Sequence, residues 1–231
     1  KMKKFTLIIL TIALFAINVK GQKSIPNGSF ENWTPGTYDY PQNYPFNSNS
    51  DALDRYRSNV FNVVKTSDAF HGSAAVQLSN VVVGNDSMFG YFVNGNPQNG
   101  DPTTWVGGIA YNQKPTGIRG YYKYNKDLTD SATVFVTFSK GGKNIGTYFF
   151  SLGGIKNTYT LFNFPFTPAL TDTPDSVIFG AVSCKINAKT QDPKGVLGSV
   201  LYIDSVSFTG VTSQPALMNC DFEQWQSKTN Y

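Results

Sequence analysis

The sequence predicts an all-β fold, an antiparallel β-sandwich of jelly-roll type, with a β-barrel as the alternative and a signal-peptide helix in front. Three observations predict it. Short segments of alternating apolar and polar residues follow one another at spacings of roughly 8–15 residues, the rhythm of an all-β domain. Aromatic residues make up 15% of the 231-residue chain, and 21 glycines and 12 prolines punctuate it. Beyond the N-terminal leader, no stretch sustains the helical apolar period.

The elements follow in order. Lysines 1, 3 and 4 precede an apolar run, Phe5–Ile17, and the small residues Val19 and Gly21 stand before Gln22. That arrangement reads as a cleavable signal peptide over residues 1–21, too short to span a bilayer. It implies a secreted or cell-surface protein with no transmembrane segment after cleavage. The leader carries four of the 19 basic residues and no acidic one; the remaining 15 balance the 15 acidic residues. With a net charge of zero, a nucleic-acid reading loses the support a basic footprint would give, and no nucleic-acid partner is expected.

Residues 24–210 read as the sandwich module. Residues 34–58, rich in Pro, Asn and Tyr, read as a long irregular loop with a helical turn near Asp51–Arg57. The segments "FNVVKTS" (61–67), "SAAVQLSNVVV" (73–83) and "SMFGYFV" (87–93) read as strands. In the second, Ala74, Val76 and Leu78 share a face. A polar loop, 94–108, carries Trp105. Ile118, Tyr122 and Tyr124 of "GIRGYYKYN" (117–125) face one way and Arg119, Tyr121 and Lys123 the other. A hairpin follows, with Val134, Val136 and Phe138 opposite Thr133, Phe135 and Thr137, turned by "KGGK". Segments 158–166, 175–183 and 198–210 complete the set.

The last strand has a phase problem. Leu201 and Ile203 share one face and Val206 and Phe208 share one, yet three residues separate Ile203 from Val206. A bulge at Asp204-Ser205 puts all four on a single buried face and turns the Asp204 carboxylate sideways.

The chain also repeats itself. "IPNGSFENW" (25–33) and "LMNCDFEQW" (217–225) share Asn, Phe, Glu and Trp in register, 192 positions apart. The period is too long for a solenoid. Residues 211–231 therefore read as a linker and the first strand of a second, similar module, with further modules expected beyond residue 231. Cys184 and Cys220 either pair after export or stay as thiols. Cys220 stands where the first copy has Gly28, which favours two unpaired thiols.

The motifs "NGSFENW", "GIRGYYKYN", "IGTYFF", "DSVIFGAVSC" and "GSVLYIDSVSF" resemble the ends and middle of jelly-roll carbohydrate-binding modules. Together they look like the carbohydrate-metabolism domain of secreted and surface proteins of Bacteroidetes. The resemblance covers about residues 24–210. It implies a jelly-roll-like sandwich, an extracellular setting with export by type IX secretion, and a carbohydrate or cell-envelope ligand as partner. It also implies a structural calcium held by the Glu of the opening "FE" and an Asp of the closing strand, here Glu31 and Asp204. Hard oxygen donors suit that ion, and carbonyls of "SDAFHG" (67–72) would add ligands. The other reading has Glu31 capping locally and Asp204 accepting backbone N–H groups at the bulge.

Trp105, with Tyr111 and Tyr121, is the candidate glycan-binding set, because an exposed ring stacks on the C–H face of a sugar. Alternatively Trp105 folds back onto the sandwich. Trp33 reads as core. Enzyme signatures are poor: the one histidine, His71, stands beside Gly72 in a predicted surface turn, no Ser-His-Asp, Cys-His or histidine-cluster metal pattern is marked, and no spacing marks a carboxylate pair of glycoside-hydrolase type. The sequence thus favours a non-catalytic ligand-binding module over a structural or adhesin spacer and over a glycoside-active enzyme.

Overall fold

A computed structural model describes residues 36–96, 105–126, 129–186, 193–215 and 218–230. The signal peptide expected over residues 1–21, Glu31 and Trp33 lie outside the described residues. Two antiparallel sheets face each other. One, of six strands, runs in the order Lys143–Gly153, Ser131–Lys140, Ser176–Val182, Tyr91–Val93 and Phe46–Asn47, with Ile109–Ala110 also paired to Ser176–Val182. The other, of five, runs Lys156–Pro165, Gly117–Tyr124, Val200–Thr209, Ala75–Ser79 and Val63–Thr66. The architecture is the sandwich, not the barrel.

The period-2 pattern explains the core. Val134, Val136 and Phe138 from one sheet meet Ile118, Tyr122, Tyr124, Val76, Leu78, Leu201 and Ile203 from the other in one buried cluster. The side chains between them point outward, as pleating requires. Phe135 belongs to a second cluster with Val93 and Ile178, on which Phe46, Trp105 and Phe149 pack. In the hairpin Lys140 pairs with Lys143, and both turn glycines, Gly141 and Gly142, hold positive φ (57° and 72°). That is a two-residue turn whose twist matches the strands it joins.

The expected bulge is present. Ser207 pairs with Arg119 and Asp204 with Tyr121, so three steps on one strand oppose two on the other. Ser205 absorbs the extra residue at φ 51°. Leu201, Ile203, Val206 and Phe208 all reach the same core.

Two regions differ from the expectation. Residues 34–58 are not one irregular loop: Gly36–Pro41 is a strand, and the helical turn expected near Asp51–Arg57 is a helix that starts earlier, at Ser48–Asp54. Asn47 caps that helix, its Oδ1 accepting the Ser50 N–H at 3.2 Å. The strand exists because its partner lies at the other end of the sequence: Gly36–Pro41 pairs antiparallel with Trp225–Asn230, Gly36 beside Asn230 and Pro41 beside Trp225.

The second difference follows from the first. Residues 211–231, read as a linker and the opening strand of another module, pack through their described part on this sandwich. Met218 and Phe222 are fully buried in its main core, and the Tyr44 hydroxyl donates to the Met218 carbonyl at 2.6 Å. Both cysteines are free thiols, and burial pushes each up to about 12.

Candidate functional site

The bulge fixes the first cluster. Asp204 is fully buried, and a buried carboxylate must find donors. Its Oδ2 accepts the N–H groups of Phe70 (2.7 Å) and His71 (3.0 Å), while its Oδ1 accepts the Ser205 N–H (2.6 Å) and hydroxyl (3.3 Å). Burial raises the Asp204 carboxyl above its ordinary pKa, against the lowering effect of these donors.

Glu223, from the terminal copy of the repeat, grips the same loop from its other end. Its Oε1 accepts the N–H groups of Ser73 (2.8 Å) and Ala74 (2.9 Å), and its Oε2 accepts the Ser73 hydroxyl (2.6 Å). These donors, led by that hydroxyl, hold its carboxyl below the usual glutamate range. Gly72, at φ 74°, lies between the two grips; a Cβ there would stand 2.2 Å from Glu223 Oε1. The loop is thus bound to the sandwich by its own N–H groups through two carboxylates.

This geometry does not fit a calcium ion at Asp204. A carboxylate offers about four lone-pair sites, and here four N–H and O–H donors fill them. The loop expected to contribute carbonyl ligands turns its N–H groups toward the acid instead. Among the described residues no group of three His, Cys, Asp or Glu side chains is arranged to hold a metal. Glu31, the other expected ligand, lies outside the described residues.

The second cluster is the outer face of the five-stranded sheet. Alternation sends Tyr121, Lys123 and Tyr202 outward from neighbouring strands, Lys123 beside Tyr202 in the register. The loop held by Asp204 sets Phe70 flat on Tyr121, with ring centroids 3.5 Å apart and an 11° angle between planes. Phe70 remains 44% exposed. The Lys123 ammonium sits 4.4 Å from the Tyr202 ring centroid and 5.1 Å from that of Tyr159, and it pairs with Asp68. The Tyr159 hydroxyl donates to the Asp68 carbonyl at 2.5 Å. Burial, then the charges of Asp68 and Asp204, raise the Tyr159 pKa and keep it a donor. A shallow cavity of about 190 Å³ opens beside this group, lined by Lys123, Tyr124, Asn125, Lys156, Asn157 and Tyr202. Aromatic faces flanked by cationic and amide groups suit a ligand with apolar C–H faces and a rim of hydroxyls.

The three sequence-derived binding residues are not brought together. Tyr121 stands on this outer face, half-buried. Tyr111 is 5% exposed in the core, tilted against Phe208 at 5.3 Å. Trp105 folds back onto the other sheet, edge-on to Phe135 at 5.2 Å, with its indole N–H buried and unpaired among the described residues. Sequence reasoning missed Phe70, Tyr159 and Tyr202. The outward phase of Tyr202, between inward Leu201 and Ile203, was the available signal.

No family model matches the chain, and no curated protein matches it, so the resemblance to the carbohydrate-metabolism domain rests on the motifs alone. Solved structures do match. An enzymatically active domain of bacteriophage CBA120 tailspike protein 4 aligns at 12% identity with a TM-score of 0.42, over 80% of this chain and 21% of that one. This chain thus spans about a fifth of the tailspike domain's length. A family 16 carbohydrate-binding module aligns at 14% identity and TM-score 0.36, over 65% of this chain and 87% of the module. TmCBM61, solved with β-1,4-galactotriose, aligns at 9% identity and TM-score 0.33, over 80% of this chain and 94% of that one. Overlays this loose do not bear on what this chain binds.

Proposed function

We propose that this chain is an exported, non-catalytic module that binds glycan on the outer face of its five-stranded sheet. The observation that carries the reading is the exposed Phe70 ring stacked on Tyr121, next to the cavity that Tyr202 lines with Lys123, Lys156, Asn125 and Asn157. The rings offer surfaces for sugar C–H groups, and Lys156 and the Asn157 amide offer hydrogen bonds to hydroxyls, while Lys123 is held by Asp68 and the Asn125 amide by the backbone of Gly198 and Val200. The signal peptide expected over residues 1–21 supports an extracellular setting, where such ligands lie. A non-catalytic role is supported by the carboxylates: the buried Asp204 spends its lone pairs on loop N–H groups, and Asp130, also buried, accepts from Tyr124, Ser131, Val196 and Ser199.

A glycan array with the mature chain tests the reading, followed by titration of the best ligand. Tyr202→Ala should weaken binding about tenfold, the loss of roughly 1.4 kcal/mol expected for one aromatic face. Trp105→Ala should leave it within twofold. Absence of glycan binding, or binding that survives Tyr202→Ala and fails with Trp105→Ala, would refute it.

A further inference from the structure

The sequence contains two glutamates, Glu31 and Glu223, and both lie in the repeated phrase, as do two of its three tryptophans. The structure shows what the second copy does with its repeated residues. Asn219 closes a tight turn, donating to the Gln224 carbonyl (2.8 Å) and accepting the Gln224 N–H (3.2 Å). Phe222 fills the core beside Phe92 and Tyr44, with ring centroids 5.5 and 6.1 Å away. Glu223 binds the loop at Ser73 and Ala74. Trp225 donates its indole N–H to the Phe222 carbonyl (2.8 Å). Phe222 and Glu223 thus dock on the sandwich, while Asn219 and Trp225 mainly shape the segment, Asn219 also donating to the Gln42 carbonyl (3.4 Å) and Trp225 packing against the core.

Where the copies differ, most contacts come from the backbone. The Tyr44 hydroxyl donates to the carbonyl of Met218, where the first copy has Pro26. The Val206 N–H beside the bulge donates to the carbonyl of Cys220 at 2.9 Å, where the first copy has Gly28. A carbonyl is retained in both exchanges. The two positions of left-handed backbone, Asn219 (φ 43°) and Phe222 (φ 52°), carry the same residue types in the first copy, Asn27 and Phe30. One bond and one packing contact have no counterpart: the Met218 N–H donates to the Pro215 carbonyl, and Pro26 has neither that N–H nor a side chain as long as the fully buried Met218.

We propose that the groove holding residues 218–225 also accepts residues 25–33 of a second copy of this chain, so that two segments compete for one seat. Chain geometry selects a second copy. In the ribbon Gly36 lies beside Asn230, five residues along the strand from Trp225, about 17 Å at the usual rise. With Trp33 seated where Trp225 sits, three residue steps would have to cover that span. They reach at most about 11 Å. The first copy therefore cannot enter its own groove while the ribbon holds, whereas that of another molecule can. The resident segment is tethered, at an effective concentration on the order of millimolar, and so holds the seat in dilute solution. The inference does not depend on glycan binding.

A labelled peptide of residues 22–35, titrated into the full mature chain and followed by fluorescence anisotropy, tests this. The wild-type chain should bind it weakly. Phe222→Ala, which weakens the resident, should bind it at least tenfold more tightly. Glu223→Ala leaves the buried side chains in place and gives a second, independent measure; it should bind about tenfold more tightly than wild type. A peptide carrying Phe30→Ala and Glu31→Ala should bind neither variant. The proposal is overturned if neither variant binds the natural peptide more tightly than wild type, or if the altered peptide binds as well as the natural one. Should Phe222→Ala fail to fold, the Glu223→Ala result decides alone.

Discussion

Truncating Phe222 measures how far the terminal segment belongs to this sandwich. The side chain is fully buried and touches rings from both the 36–47 region and the six-stranded sheet through Tyr44 and Phe92. Phe-to-Ala changes at such sites cost about 3–5 kcal/mol, the sum of lost transfer free energy and the cavity left behind. Alanine relieves nothing in return, because it meets the same left-handed backbone as phenylalanine. The expected loss is about 3–4 kcal/mol, a large part of the 5–15 kcal/mol typical of a domain. With a urea dependence of about 2 kcal/mol per molar, the midpoint should fall by roughly 1.5–2 M. Far-ultraviolet circular dichroism across a urea series reads this directly. A shift below roughly 0.3 M would mean that residues 218–230 merely lie against the module, and the core described here would be wrong in that quarter.

Three further outcomes are expected. Gly72→Ala should lower stability by about 1–3 kcal/mol in thermal or urea melts, since it adds a left-handed strain to the 2.2 Å clash with Glu223 Oε1; combining it with Glu223→Ala should recover the steric part. Glu223 has a lowered folded-state pKa, so its contribution is present above the unfolded value near 4.3 and is lost as pH falls through the folded value. The stability gap between wild type and Glu223→Gln should therefore shrink between about pH 5 and pH 3, and a gap that widens on acidification would contradict the assignment. Chelation by EDTA, or added calcium, should move the melting temperature by less than about 1 °C, because the donors on Asp204 leave no lone pair for the ion; a rise of several degrees with calcium would overturn that reading.

The parts of this fold legible in the sequence are those whose cause is local. Alternation alone places Val134, Val136 and Phe138 inside and Tyr121 and Lys123 outside, because pleating fixes the side of every second residue. The slipped phase between Ile203 and Val206 likewise announces the bulge. The ribbon of Gly36–Pro41 with Trp225–Asn230 leaves a fainter mark: Tyr38 and Tyr40 alternate with Thr37 and Asp39, but the partner strand does not alternate, and the two stabilise each other across 184 to 194 positions. The repeat was visible, but its copies specify contacts rather than an address, and sequence cannot say which module a docking phrase completes. The binding face was half visible: Tyr121 follows from its strand, whereas Phe70 reaches it only because Asp204 captures the loop N–H groups. Trp105 pointed elsewhere for a similar reason. Its covering role depends on Phe135 and Phe149 of a hairpin distant in sequence.

The most direct test of the account is to map a bound glycan onto the surface by amide chemical-shift perturbation, using the best ligand from an array. The account predicts shifts concentrated at Phe70, Tyr121, Lys123, Asn157 and Tyr202, on the outer face of the five-stranded sheet. Shifts centred on Trp105, Phe135 and Phe149 across the sandwich, or none at saturating ligand, would contradict it.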